Sequence, residues 1–584
     1  MSRGVIRADK NIGSIRKAAL NILENLYDRV QDRSVQNLVL GALHQATSCR
    51  NVKKDDSATR GMITENAVSV LKFLFKKVDT ESLEVLEEIE HDAFWIKYHN
   101  QSKEVSEVAL KLRDKLEANN EYQIFKTLIG FKGIFEDWNS SERSQGKFKE
   151  VSSYRDSIAQ SYVQKMSKAN YDKWRKRILE YSKIQSNDLA TFPHFGKFLE
   201  HVGNKKPNFA LDLLENDSTE LDRFILPLLL GLWSSKRKTT KQLISKWCEN
   251  NIHIIPSVRL FTFTQELDFA LLEKLQKQSA KTNNTVALIY LTSVTAANFE
   301  EHGAKLIKEV FLPSIKALTK IKDARWVNDF WYRPNCAEMM QSLSEKEADL
   351  LLSNLIYLQS VEYQSEKVLA ALAHKYPLKV LQYFGKRIAK QKKVKVDGFE
   401  PVPYDFHDLA QPLSYIPFEA VNAVREWYEK DSYGMFSFRG GRLLSNIFPS
   451  FSPEFEAALV ECIHKGGENN WLFVMSILRN YEGETFIHNV CKELAKVIPD
   501  GSLTNELHII LDSTGVVSGP LGFAEAYERK IGEIEPWLKS DSEAVRFFAE
   551  KHISSLRLQI EYEKKRAAEE AELRAYKYGT STEE

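Results

Sequence analysis

The sequence predicts an all-α chain of stacked helix pairs closed by one long helix. Three observations predict it. Apolar residues recur at helical spacing along most of the chain, alternating strand patterns are almost absent, and one short pattern recurs near both ends.

That pattern is "SIRKAAL" at 14–20, "SKEVSEVAL" at 102–110 and "SEAVRFFAE" at 542–550. Each stretch has a Ser, a β-branched residue and an Ala four positions later: Ile15 and Ala19, Val105 and Ala109, Val545 and Ala549. A small side chain at a helix crossing lets two helices approach closely. Arg16 and Arg546, just after the β-branched residue, are placed to reach a neighbouring carbonyl or carboxylate. In "IRKAALNILENLYDRV", Ile15, Ala18, Ala19, Ile22, Leu23 and Leu26 form one apolar stripe, with charges on the other face. "AVSVLKFLFKKV" at 67–78, "VSEVALKLRDKLE" at 105–117 and "SEKVLAALAHKYPLKVLQYFGKRI" at 365–388 repeat the period. A weaker copy, "TENAVSVL", falls between the first two. Two intervals in the stretch from Ile15 to Val105 average about 45 residues, the length of a HEAT or armadillo unit. The fold class expected is therefore an α-solenoid of degenerate HEAT- or armadillo-like helical pairs with a long C-terminal helix.

Three segments are expected: N-terminal repeats over 1–150, central repeats over 151–395, and a C-terminal helical region over 396–584. The polar stretch 136–153 marks the first boundary. At the second, "KRIAKQKKVKVDGFEPVPYD" turns from basic to Pro-containing. The last segment holds a Pro- and aromatic-rich insertion at 399–451 and a charged terminal helix at about 553–578.

Composition narrows function by exclusion. With 584 residues, 43% hydrophobic, 28% charged and 11% aromatic, the chain can bury a large core and is not disordered as a whole. A formal charge of +1 supplies no global field toward polyanions. The five cysteines form no CxxC pair, which argues against a disulfide framework or a structural zinc site. The N-terminus lacks an apolar leader, and the most apolar run, "FILPLLLGLW" at 224–233, is too short to span a bilayer. A cytoplasmic protein without membrane contact is expected.

No GxxxxGK[ST], GxGxxG, HExxH or GxSxG motif occurs. The chain is therefore expected to be non-catalytic, with no cofactor and no metal. Cys462 and His464 lie two apart on one predicted helix and point away from each other. The insertion 399–451 holds the candidate partner-binding residues His407, Asp408, Arg425, Arg439 and Arg442, with Gly440-Gly441 expected to turn before a helix. His407 with Asp405 or Asp408 is the weaker, acid/base reading of the same stretch. Arg479, Glu482 and His488 in "RNYEGETFIH" suggest a polar network, and "STGVVSGPLGF" at 513–523 suggests a connecting loop.

Three basic stretches carry a nucleic-acid alternative, since cations contact phosphates and aromatic rings stack on bases. Over 168–183 the candidates are Lys173, Trp174, Arg175, Lys176 and Arg177. Over 234–242 they are Lys236, Arg237 and Lys238, and over 386–396 they are Lys392, Lys393 and Lys395.

From about residue 365, "HKYPLKVLQYFGKRI", "YDFHDLAQPLS", "AVREWY", "FRGGRLLSNIFPSF", "LRNYEGETFIHNVCKEL", "STGVVSGPLGFAEAYERK" and "PWLKSDSEAVRFFAEKHISSLRLQIEYEKKRAAEEAELRAYKYG" follow in order. This run resembles the C-terminal helical region of large bacterial proteins, which carry an NTPase or other effector domain upstream. Some of these resemble antiviral-defence sensors. The resemblance covers a little over a third of the chain. It implies an arm that senses or binds a protein partner, an effector subunit or a phage protein, with catalysis elsewhere. The present chain carries no NTPase or nuclease motif. It is expected to be a subunit beside a separate effector, or part of a longer protein.

Overall fold

Acidic and polar caps start many of the helices. Asp9, Asp32, Asp56, Ser102 and Asn119 each accept a hydrogen bond from a first-turn amide of the helix they precede, satisfying donors the helix itself leaves free. A computed structural model describes residues 8–48, 52, 56–138, 148–185, 192–264, 266–391, 398–430 and 435–578. All regular secondary structure among them is helical. The chain divides into two units, 1–263 and 264–584, a boundary inside the expected central segment. Within each unit a helix packs on its neighbours in sequence and on the next but one, the repeated arrangement of a solenoid.

In the first unit, Ser57–Lys77 packs on Lys103–Ala118, which also packs on Leu83–His99. Val105 and Ala109 are fully buried there. Buried Glu90 is held at both oxygens: Lys126 Nζ donates to Oε1 at 2.7 Å, and Tyr122 Oη and the Ile134 amide donate to Oε2. Full pairing lets this charge stay inside. The closest crossing joins Pro193–Lys205 to Ile225–Ser235 at Gly203 and Gly231. A Cβ on Gly231 would stand 2.0 Å from the Glu200 carbonyl oxygen. The apolar run at 224–233 is thus a core helix.

The first helix, Lys10–Arg29, corrects one expectation. Its inner face is Leu20 and Tyr27, while Ile15 is 67% exposed and Ala18, Ala19, Ile22 and Leu26 also face outward. Among the described residues this helix packs on Arg33–Ala46 and Ser57–Lys77, through that one side. Arg16 still reaches a carbonyl, that of Ala46 at 2.6 Å.

In the second unit, Trp326 is fully buried and donates to Asn354 Oδ1 at 2.7 Å. Asn354 in turn donates to Thr319 and to the Asp323 carbonyl. Pro417–Glu429 packs on Met435–Ile447, which packs on Glu468–Leu478. Gly440 and Gly441 lie inside Met435–Ile447 and make no turn. A Cβ on Gly441 would meet Asn480 at 2.4 Å, so the pair serves close helix packing. The terminal helix spans Glu543–Tyr578 and begins earlier than expected. Val545 and Ala549 are buried on it, as the recurring pattern requires. Among the described residues no helix is long and apolar enough to cross a membrane.

Candidate functional site

Two buried charges fix the start of the 399–451 insertion. Arg387, on the helix Pro377–Gln391, is fully buried. Its guanidinium donates to the carbonyls of Leu358, Gln359, Glu400 and Pro401 at 2.5 to 3.1 Å and lies over the Phe399 ring. Five donors in a planar fork suit a ring of carbonyls. Glu366, equally buried, accepts at one oxygen from the amides of His407, Asp408 and Leu409 at 2.6 to 3.1 Å. Asn446 donates to the Pro403 carbonyl, and Val402 and Phe406 face the core. The segment is therefore anchored along its length.

What it displays outward is aromatic and cationic. Tyr404 is 83% exposed, with the Arg442 guanidinium 4.7 Å from its ring centroid. Phe438, one turn before Arg442, is exposed as well. Arg439 is half-buried, and burial together with the Arg442 charge draws it below the usual arginine range. Aromatic rings and guanidinium groups on a rigid support are the side chains that anchor protein interfaces.

The five candidate partner-binding residues differ in what they contact. Arg439 and Arg442 belong to this patch. Arg425 instead donates to Glu429 and Asn470 at 2.8 and 2.9 Å. Asp408 pairs with Lys367, and His407 is exposed with its amide spent on Glu366. Asp405 Oδ1 accepts from the Phe406 amide.

The basic stretches are largely paired. Lys173 and Arg177 both meet Glu121, whose carboxyl the Arg177 guanidinium holds at about 2. Arg175 meets Asp217 and Asp212, and Lys176 meets Glu180. Trp174 is buried against Phe198 and offers no open face for a base. Lys236 donates to Asn208, Arg237 lies over Trp233, and Lys238 is exposed. Lys392, Lys393 and Lys395 lie outside the described residues.

Two loops singled out in the sequence meet each other. Residues 482–485 and 513–515 line a polar cavity of about 160 Å³ with Arg529, Lys530 and Glu533. Lys530 donates to the Gly483 carbonyl. Arg479 pairs with Glu506 rather than with Glu482 or His488. Beneath the cavity's helix, Gly522–Ile534, lies a polar chain that sequence reasoning missed. His508 Nδ1 and His552 Nδ1 are 2.7 Å apart, and His552 Nε2 stands 3.6 Å from Asp512 Oδ1. Burial pushes Asp512 up to about 6 and His552 down to about 3. At neutral pH His552 is therefore neutral, and its contact with Asp512 is not an ion pair. His508 and Asp512 lie one turn apart on Ser502–Asp512, but no fixed spacing in the sequence announces His552, which comes from the terminal helix.

Among the described residues no group of three or more His, Cys, Asp or Glu side chains is arranged to hold a metal ion. The four described cysteines are buried, and burial pushes the thiols of Cys336 and Cys462 up to about 12 and 11. His464 turns to Glu493, away from Cys462. No protein-family model matches the chain, and no curated protein matches its sequence.

Proposed function

We propose that the chain is a non-catalytic helical-repeat interaction protein that docks a protein partner on the Tyr404–Arg442 patch. The observation that carries the reading is the exposed aromatic–guanidinium stack itself, held on a segment anchored by Arg387 and Glu366. An exposed tyrosine that large, with Phe438 and two arginines beside it, suits a partner surface presenting carboxylates around an apolar side chain. Its specific form is a scaffold or sensor subunit of a bacterial antiviral-defence system, located in the cytoplasm. The likeness of residues 365–584 to helical arms of such proteins supports this form. The partner is then an effector subunit or a phage protein. Pairing of Lys173, Arg175 and Arg177 with acidic neighbours disfavours the nucleic-acid alternative.

The test is capture of partners by the full chain, with and without nuclease, beside the Y404A/R442E variant. A protein retained after nuclease by the wild type and lost by the variant supports the reading. Material lost on nuclease treatment alone favours nucleic acid instead.

A further inference from the structure

The terminal helix Glu543–Tyr578 has two apolar faces. One is buried on its own unit through Val545, Ala549, Leu556 and Ile560. On the opposite side Phe547, Leu558, Tyr562, Leu573 and Tyr576 are exposed, at 52 to 90%. At 3.6 residues per turn these five fall within an arc of about 80°. Ala567 is the last side chain buried on this helix, and residues 568–577 are all exposed. About 15 Å of helix therefore extends without cover, a length that is marginal in water by itself.

We infer that this outer face pairs with the same face of a second copy of the chain, antiparallel, about a two-fold axis level with residue 560. The spacing of the stripe is palindromic. Leu558 follows Phe547 by eleven residues, Tyr562 follows Leu558 by four, and Leu573 follows Tyr562 by eleven. A two-fold interface demands this, since each residue must meet its mate and be met in return. Phe547 then faces Leu573 of the other copy, and Leu558 faces Tyr562. The exposed Ala544 receives Tyr576, small against large. The charges in the stripe obey the same symmetry. Lys551 falls opposite Glu569, and both are exposed, with Lys551 meeting Asp500 and Glu569 lying 3.9 Å from Lys565 within the chain. An eleven-residue repeat keeps such a stripe nearly straight along the helix. Charges of both signs within the stripe disfavour a lipid surface, which selects basic flanks. This pairing is independent of the patch on the insertion.

Sedimentation velocity on the full chain over a wide concentration range tests the inference. The wild type is expected to move from monomer to dimer, and L558E to weaken the dimer at least about tenfold. E569K sets like charges opposite each other and is expected to weaken it as well. K551E/E569K restores it, although K551E alone also loses the Asp500 contact. L558C/Y562C is expected to oxidise to a covalent dimer while L558C alone does not. Circular dichroism confirms that each variant is folded. A wild type that stays monomeric throughout overturns the inference, as does a dimer indifferent to L558E. Cross-linking by L558C alone overturns it too, because a parallel pair sets 558 against 558.

Discussion

His508 and His552 share one hydrogen bond, Nδ1 to Nδ1 at 2.7 Å, across two helices and 44 residues of chain. One nitrogen donates and the other accepts, so the pair is stable with both rings neutral. If His508 donates, the proton of His552 sits on Nε2, facing Asp512. The arrangement pins the terminal helix to Ser502–Asp512 by a bond that is lost when both rings are protonated and each Nδ1 becomes a donor.

Acid should therefore loosen this end of the molecule. Burial holds His552 at about 3 and His488 at about 4, and it also lowers His508. Lys530 acts in the same direction on His552 and His488, as does Lys551 on His508. In the unfolded chain these rings titrate near 6.5. Below that pH the unfolded state takes protons that the folded state refuses, so stability is full above about 6.5 and is lost as pH falls. Asp512, at about 6, works with the opposite sign and offsets part of the loss, and so does Glu87 at about 7 in the first unit. One such histidine is worth about 2 kcal/mol at pH 5. Urea unfolding of the wild type and H552F at pH 7.5 and 5.0 should show a smaller acid loss in the variant. Equal losses would remove His552 from the account.

Gly231 allows its helix crossing by having no side chain. G231A sets a methyl group 2.0 Å from the Glu200 carbonyl and should cost about 3 kcal/mol or more. Gly61, exposed on Ser57–Lys77, has nothing within 4 Å of its Cβ position. G61A should therefore stabilise by up to about 1 kcal/mol through helix propensity. Thermal melts of both variants check the contrast.

Arg387 holds the insertion through carbonyl groups alone among its described hydrogen bonds to the main chain. R387M leaves those acceptors buried without donors and should expose 398–409 to protease. R387K keeps the charge but loses the fork and should fall between R387M and wild type. Y404A, at an exposed position, should leave both protease resistance and melting temperature near wild type. Limited proteolysis with mass mapping separates the three.

The sequence made the helical architecture readable because it depends on local periodicity, as Val105, Ala109, Val545 and Ala549 show. The same period misled at Ile15, since an apolar stripe has the same pattern whether or not a neighbour covers it. At Gly440-Gly441 the dipeptide suggested a turn, while its meaning lay in Asn480 across the crossing. The candidate surface was half legible. Arg439 and Arg442 stand out in the composition of the insertion. Tyr404, and the distant anchors Arg387 and Glu366, depend on contacts between separate elements that spacing does not encode.

The central claim is that Tyr404 and Arg442 recruit a protein. Its most direct measurement is quantitative mass spectrometry of material captured by wild type and by Y404A/R442E after nuclease treatment. The account predicts a stoichiometric protein on the wild type that drops at least about tenfold on the variant. The same protein captured equally by both would contradict it.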